Sequence, residues 1–102
     1  MTILDIIKTI ETKCDQLKTT LIHKNADYGA SCFTTPALTP NVKPTTALMV
    51  RMSDKIARIN NLQKKDAPNF ESVEDSVMDL AGYCILLLVA MEQEKNSSEE
   101  TF

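Results

Sequence analysis

Tryptophan is absent from this chain of 102 residues, glycine occurs twice, proline four times, and aromatics make up only 5%. That scarcity suits an α-rich fold. No basic surplus exists either: the net charge is −3 and the pI about 5.0, which argues against a general nucleic-acid binder. The longest apolar run, Leu80 to Met91, is 12 residues, against the roughly 20 a helix needs to cross a bilayer. The opening MTILDIIKTIETK has no basic segment followed by a clean apolar run and reads as helix rather than signal peptide. His23 is the single histidine, so no triad of nucleophile, base and orienter can be assembled, and no Gly-rich phosphate loop is present. The three cysteines lack zinc spacing. Their odd number fits a reducing cytoplasm, with Cys14 and Cys84 as small core residues and Cys32 in a loop.

What the chain does have is a row of acids on a helix otherwise suited to burial. Glu71, Asp75 and Asp79 recur every four residues in FESVEDSVMDLAGYCILLLVAM. Steps of four keep them along one side of a helix. From Leu80 to Met91 the same helix is apolar almost all round, and such a helix belongs inside something. The acids are therefore expected to face a cleft, opposite a metal ion or the bases Arg51, Lys55 and Arg58.

Three helices are expected. The first covers residues 2 to 25, with Ile3, Ile7, Ile10, Cys14, Leu17 and Leu21 as a heptad-like stripe, and Thr2 with Asp5 as a capping box. Residues 26 to 44, with three Pro and one Gly, cannot continue a helix. They read as a long, partly ordered loop packing through Tyr28, Phe33 and Leu38. The second helix runs from about Thr45 to Gln63 on a stripe of Leu48, Met49, Met52, Ile56 and Ile59. Residues 64 to 70 connect it to the third, with Asn69 as N-cap. The third runs from about Glu71 to Glu94, with Val73, Val77, Leu80, Cys84, Leu88 and Met91 as main stripe, while Gly82, Leu86 and Ala90 continue the acidic face in apolar form. Residues 93 to 102 read as a flexible acidic tail. The fold expected is all-α: one domain over 1 to 92, a helical hairpin plus an N-terminal helix. The third helix has apolar surface on two sides, more than one chain covers, so a bundle formed by a homodimer or higher homo-oligomer is expected.

Each motif has an ordinary counterpart. Glu71 and Glu74 suit a solvated first turn near the helix dipole, and Ser72 with Asp75 is itself a capping-box pattern. Asp79, past that turn and between Met78 and Leu80, fits solvent less well. Arg51, Lys55 and Arg58 could hold phosphates, or pair with Asp54 and with the acids of the third helix. In KNADYG, Lys24, Asn25, Asp27 and Tyr28 either meet a ligand or close the helix ahead of Gly29.

The order of these motifs is Lys24-Asn25-x-Asp27-Tyr28-Gly29, then Arg51-x-Ser53-Asp54-Lys55-Ile56-x-Arg58-Ile59, then Glu71-x-x-x-Asp75-x-x-x-Asp79-Leu80-Ala81-x-Tyr83. It resembles the small phage and bacterial proteins called nucleotide modification associated domain 1, over residues 1 to 92. That resemblance implies a place in phage or bacterial nucleotide or DNA-modification metabolism; some members carry the domain twice, which fits a dimer. The organisation is also similar to the all-α nucleoside triphosphate pyrophosphohydrolases of the MazG and dUTPase type, which hold Mg²⁺ on helix-borne acids.

The function expected is nucleotide binding, with Mg²⁺-dependent pyrophosphohydrolysis of a nucleoside triphosphate as its enzymatic form. Asp75 and Asp79 are the candidate catalytic residues, and Glu71, Asp75, Asp79 and Asp54 the candidate metal ligands. Arg51, Lys55 and Arg58 would meet phosphates, and Lys24, Asn25 and Tyr28 sugar or base. The alternative is a non-catalytic phage binder that sequesters a nucleotide signal or inhibits a host defence protein. A third reading is a structural domain in which the charges simply pair. A cytoplasmic location without membrane contact is expected.

Overall fold

Three long helices and one short 3₁₀ turn carry the chain. The computed structural model describes the backbone of residues 1–28, 31–64 and 70–100, and the side chains of residues 1–24, 31–64 and 73–97. In order these are α1 (Ile3–Tyr28), a 3₁₀ turn (Ser31–Phe33), α2 (Pro44–Gln63) and α3 (Phe70–Glu100). No strand occurs among the described residues, so the all-α expectation holds. The chain divides into two compact units, Met1–Ala30 and Ser31–Phe102.

The first unit is α1. Its start is the expected capping box: the Thr2 N–H donates to Asp5 Oδ2 at 3.0 Å, and the Asp5 N–H donates to Thr2 Oγ1 at 3.1 Å. Two donors that the helix leaves unpaired are thereby satisfied reciprocally. Those hydrogen bonds to its ionised form hold the Asp5 carboxyl below the usual range. The helix runs three residues beyond the expected Asn25, to Tyr28, because nothing before Gly29 breaks it. Along the expected stripe, Leu17 and Leu21 are half-buried, but Ile3, Ile7, Ile10 and Cys14 are exposed. Cys14 is therefore not the core residue its spacing suggested.

The second unit is built on α2 and α3. Pro44 opens α2 at its first turn, where a missing N–H costs nothing and the ring presets the backbone. Lys43 precedes it in extended conformation without a side-chain cap. The Lys64 N–H closes the helix by donating to the Asn61 carbonyl at 3.3 Å. Ahead of α2, the 3₁₀ turn packs against it, with Cys32, Phe33, Pro36 and Val42 half-buried. Leu38, expected to anchor this loop, stands 96% exposed. α3 continues past Glu94 to Glu100; its C-terminal run of Glu, Gln and Lys favours helix and contains no breaker. The segment proposed as a tail is thus helical through Glu100. The connector 65–69 and the Asn69 cap lie outside the described residues.

α2 and α3 pack on each other. Two ion pairs join the α2 side to α3: Lys55 Nζ to Asp79 Oδ2 at 3.1 Å, and Lys43 Nζ to Glu94 Oε1 at 3.6 Å. The α3 number falls as the α2 number rises, so the helices run antiparallel. The α2 seam reads Thr45, Leu48, Met52, Lys55, Ile59, Leu62, alternating steps of three and four, and every member is buried or half-buried. The α3 seam has the same rhythm: Ser76, Asp79, Tyr83, Leu86, Ala90. Leu48 is the one large side chain fully buried.

This seam corrects the sequence reading. On α3 the packed face is the one marked by Gly82, Leu86 and Ala90, whereas Val77, Leu88 and Met91 of the expected main stripe are 50%, 61% and 44% exposed. On α2, Met49 and Ile56 are 45% and 48% exposed. Hydropathy alone ranked the faces wrongly. Small residues let backbones approach, so Ser76, Gly82 and Ala90, all buried, mark the contact better than the larger residues beside them.

No helix among the described residues is long and apolar enough to cross a membrane.

Candidate functional site

The seam fixes which side chains share a face. Successive residues of a helix are rotated by about 100°. In an antiparallel pair, residues one position before a seam residue fall on the same side of both helices; those one position after fall on the other side. The residues before the seam are Arg51, Asp54, Arg58 and Asn61 on α2, with Asp75, Met78, Gly82 and the exposed Ile85 and Val89 on α3. Those after it are Met49, Ser53, Ile56 and Asn60, with Val77, Leu80, Cys84, Leu87 and Met91. The hairpin therefore has one charged side and one side without charge.

Lys55 and Asp79 meet at the seam, on the charged side. Their side chains are 25% and 37% exposed. Each occupies a seam position that hydrophobic spacing would fill with an aliphatic residue. Half-buried charge needs a partner, and here each supplies the other's. Exposed pairs of this kind contribute ~1 kcal/mol or less, so the pair fixes register more than it adds stability. Of the acid row, Asp79 alone is shown drawn inward: Asp75 is exposed, and Glu71 has its side chain outside the described residues. Glu74, one residue away from that row, is exposed as the solvated-turn reading anticipated.

Arg51 and Arg58 are exposed and enter no ion pair among the described residues. The expected internal pairing of Asp54 with Arg58 is not formed. A groove of about 550 Å³ is lined by Asp54, Lys55, Ala57, Arg58, Asn61 and Leu62; Arg51 stands two helical turns before Arg58 on the same strip. Asn61 and Leu62 were missed in the sequence. Their signal is spacing: three and four residues after Arg58, they extend the basic strip by one helical turn. At the other end of the strip, burial pushes the Cys32 thiol up, against the pull of the Arg51 guanidinium, which favours the thiolate. The 3₁₀ turn thus lies within electrostatic reach of Arg51.

Among the described residues, no three His, Cys, Asp or Glu side chains gather as a metal-holding group. Asp79 already faces an ammonium, and Asp54 is on the other helix and exposed. Glu71, an expected metal ligand, has its side chain outside the described residues. Lys24 is exposed near the end of α1, in the first unit, and the side chains of Asn25, Asp27 and Tyr28 lie outside the described residues.

No curated protein and no solved structure matches this chain. The likeness to the MazG and dUTPase type therefore rests on motif order alone. One family model does match. It is described as Nucleotide modification associated domain 1 and aligns with residues 24–91, a span that holds α2, the seam, the groove and most of α3. The chain belongs to that family.

Proposed function

We propose that this chain binds a nucleotide on the charged side of the α2–α3 hairpin. Arg51 and Arg58 receive the phosphates, Lys55 adds positive charge at the base of the groove, and Asn61 and Leu62 face the nucleoside part. The observation that carries this reading is a groove of about 550 Å³ lined by Arg58, with Arg51 further along the same strip, both guanidiniums exposed and without carboxylate partners among the described residues. Guanidinium is suited to bidentate contact with phosphate. The groove is of the size that small ligands occupy, roughly 300–1,000 Å³. Membership in a nucleotide-modification-associated family supports the same ligand class.

A binder needs nothing more. It fits a protein that sequesters a nucleotide signal, or one that presents the nucleotide-bound face to a host defence protein. A pyrophosphohydrolase needs in addition carboxylates that hold Mg²⁺, a role for Glu71 beside Asp75 and Asp79, with Asp54 from α2.

One experiment separates the readings. The purified chain is melted with each nucleoside triphosphate, with and without Mg²⁺, while pyrophosphate release is followed. A rise in Tm without turnover supports the binder. Pyrophosphate release that disappears in Asp79→Asn supports the hydrolase. No rise in Tm with any nucleotide contradicts both and leaves the charges as a structural network. Lys24→Ala, Asn25→Ala and Tyr28→Ala then test whether the end of α1 meets sugar or base.

A further inference from the structure

Lys55 belongs to two places at once. Its side chain lines the groove together with Asp54, Arg58 and Asn61, and its ammonium lies 3.1 Å from Asp79 Oδ2 across the seam. Asp79 itself is not among the lining residues, so it meets the groove through Lys55. Of the three bases on the strip, Arg51 and Arg58 enter no ion pair among the described residues, whereas Lys55 is already engaged. We infer that Asp79 is a positioning residue that sets how tightly the groove holds phosphate. Acting through Lys55, it aims the ammonium at the groove and, by offsetting the charge, keeps the affinity low. The inference rests on the nucleotide reading and names the side chain that tunes it.

Cohesion does not account for the pair. An ion pair this exposed adds little to stability, and aliphatic residues at the same two seam positions would hold the helices at least as well. Placement at the groove accounts for it better. A lysine ammonium is a compact charge on a flexible four-carbon stem, with three N–H donors. Asp79 takes one donor, which fixes the direction of the stem and leaves the others for a ligand.

The carboxylate also opposes the ligand it prepares for. A phosphate oxygen accepting from the ammonium stands about 2.8 Å from it, and therefore within about 6 Å of Asp79 Oδ2. That is inside the Debye length, about 8 Å at physiological ionic strength, so solvent ions do not screen the repulsion away. Replacing the carboxylate by an amide of the same shape separates the two effects. The amide oxygen still accepts from the ammonium, so the aim persists, while the negative charge is gone.

Calorimetric titration of the full chain in EDTA tests this. The probes are inorganic tripolyphosphate, which has no base, and ATP, GTP, CTP and UTP. Asp79→Asn is expected to bind at least about threefold more tightly than the unaltered chain, and to lose affinity more steeply as salt rises, because one more uncompensated cation meets the ligand. A variant that is merely damaged would bind more weakly, so a gain separates this role from a structural one. Adding Lys55→Met to Asp79→Asn is expected to abolish the gain. Should the amide variant lose its far-UV helical signal, Asp79→Ala is read in its place against the same expectation. Equal or weaker binding without the carboxylate, or a gain that survives Lys55→Met, overturns the inference and leaves the nucleotide reading standing. No heat of binding with any of these probes, in the unaltered chain or the variant, contradicts the nucleotide reading itself, and the inference falls with it.

Discussion

Lys55 Nζ lies 3.1 Å from Asp79 Oδ2, each at a position of the α2–α3 seam that spacing reserves for an apolar side chain. This pair ties the register of the hairpin to its charged side. A double-mutant cycle of Lys55→Met and Asp79→Asn, followed by urea unfolding, is expected to give a coupling of about 0.5–1 kcal/mol. Either single change is expected to destabilise more than the double change does, because each strands a half-buried charge. Additive effects would show that the pair contributes nothing to folding.

Leu48 carries the hairpin core. Leu48→Ala is expected to cost about 3 kcal/mol, since it opens a cavity at the best-packed point of the seam. Leu38→Ala, at a side chain 96% exposed, is expected to change stability by less than about 0.5 kcal/mol. The urea midpoints of the two variants make the comparison directly.

These two leucines also show what the sequence could and could not reveal. Helix number, the acid row and its basic counterpart were legible, because charge and periodicity are local properties. So was the cap at Thr2 and Asp5, whose spacing is its own signature. The packed face of α3 was not. Val77, Leu88 and Met91 outrank Ser76, Gly82 and Ala90 in hydropathy, and hydropathy says which residues leave water, not which helix they meet. Close approach is decided by small size, and that signal favoured the weaker-looking face. The groove was half legible: Arg58 was visible as a charge, whereas Asn61 and Leu62 gained meaning only once the seam oriented α2.

The cap at the start of α1 titrates in acid. Hydrogen bonds from Thr2 hold the folded Asp5 carboxyl below its ordinary range. A depressed folded value means that its stabilisation is present above the unfolded value and disappears as pH falls through the folded one. Fraying of the first turn is therefore expected below about pH 4. Amide exchange at residues 3–6 should accelerate in that window, and Asp5→Asn should remove the pH dependence. Exchange that ignores pH in the unaltered chain would show that the carboxylate does not cap.

Cys32 reports on Arg51. Burial raises its thiol and the guanidinium partly offsets this. The reactive thiolate is therefore scarce at Cys32, which is also half-buried, whereas Cys14 is exposed to reagent. Iodoacetamide at mildly alkaline pH is expected to label Cys14 several-fold faster, and Arg51→Gln is expected to slow Cys32 further. Faster labelling of Cys32 in that variant would mean that Arg51 shields the thiol sterically rather than favouring its ionisation.

Calorimetric titration of a nucleoside triphosphate into the unaltered chain and into Arg51→Ala/Arg58→Ala tests the charged side most directly. Lost charge-assisted contacts to phosphate predict affinity at least about tenfold weaker in the double variant, and weaker binding by the unaltered chain as salt rises. Equal affinity in both proteins, or no heat of binding with any nucleotide, would contradict the assignment of this face to nucleotide phosphate.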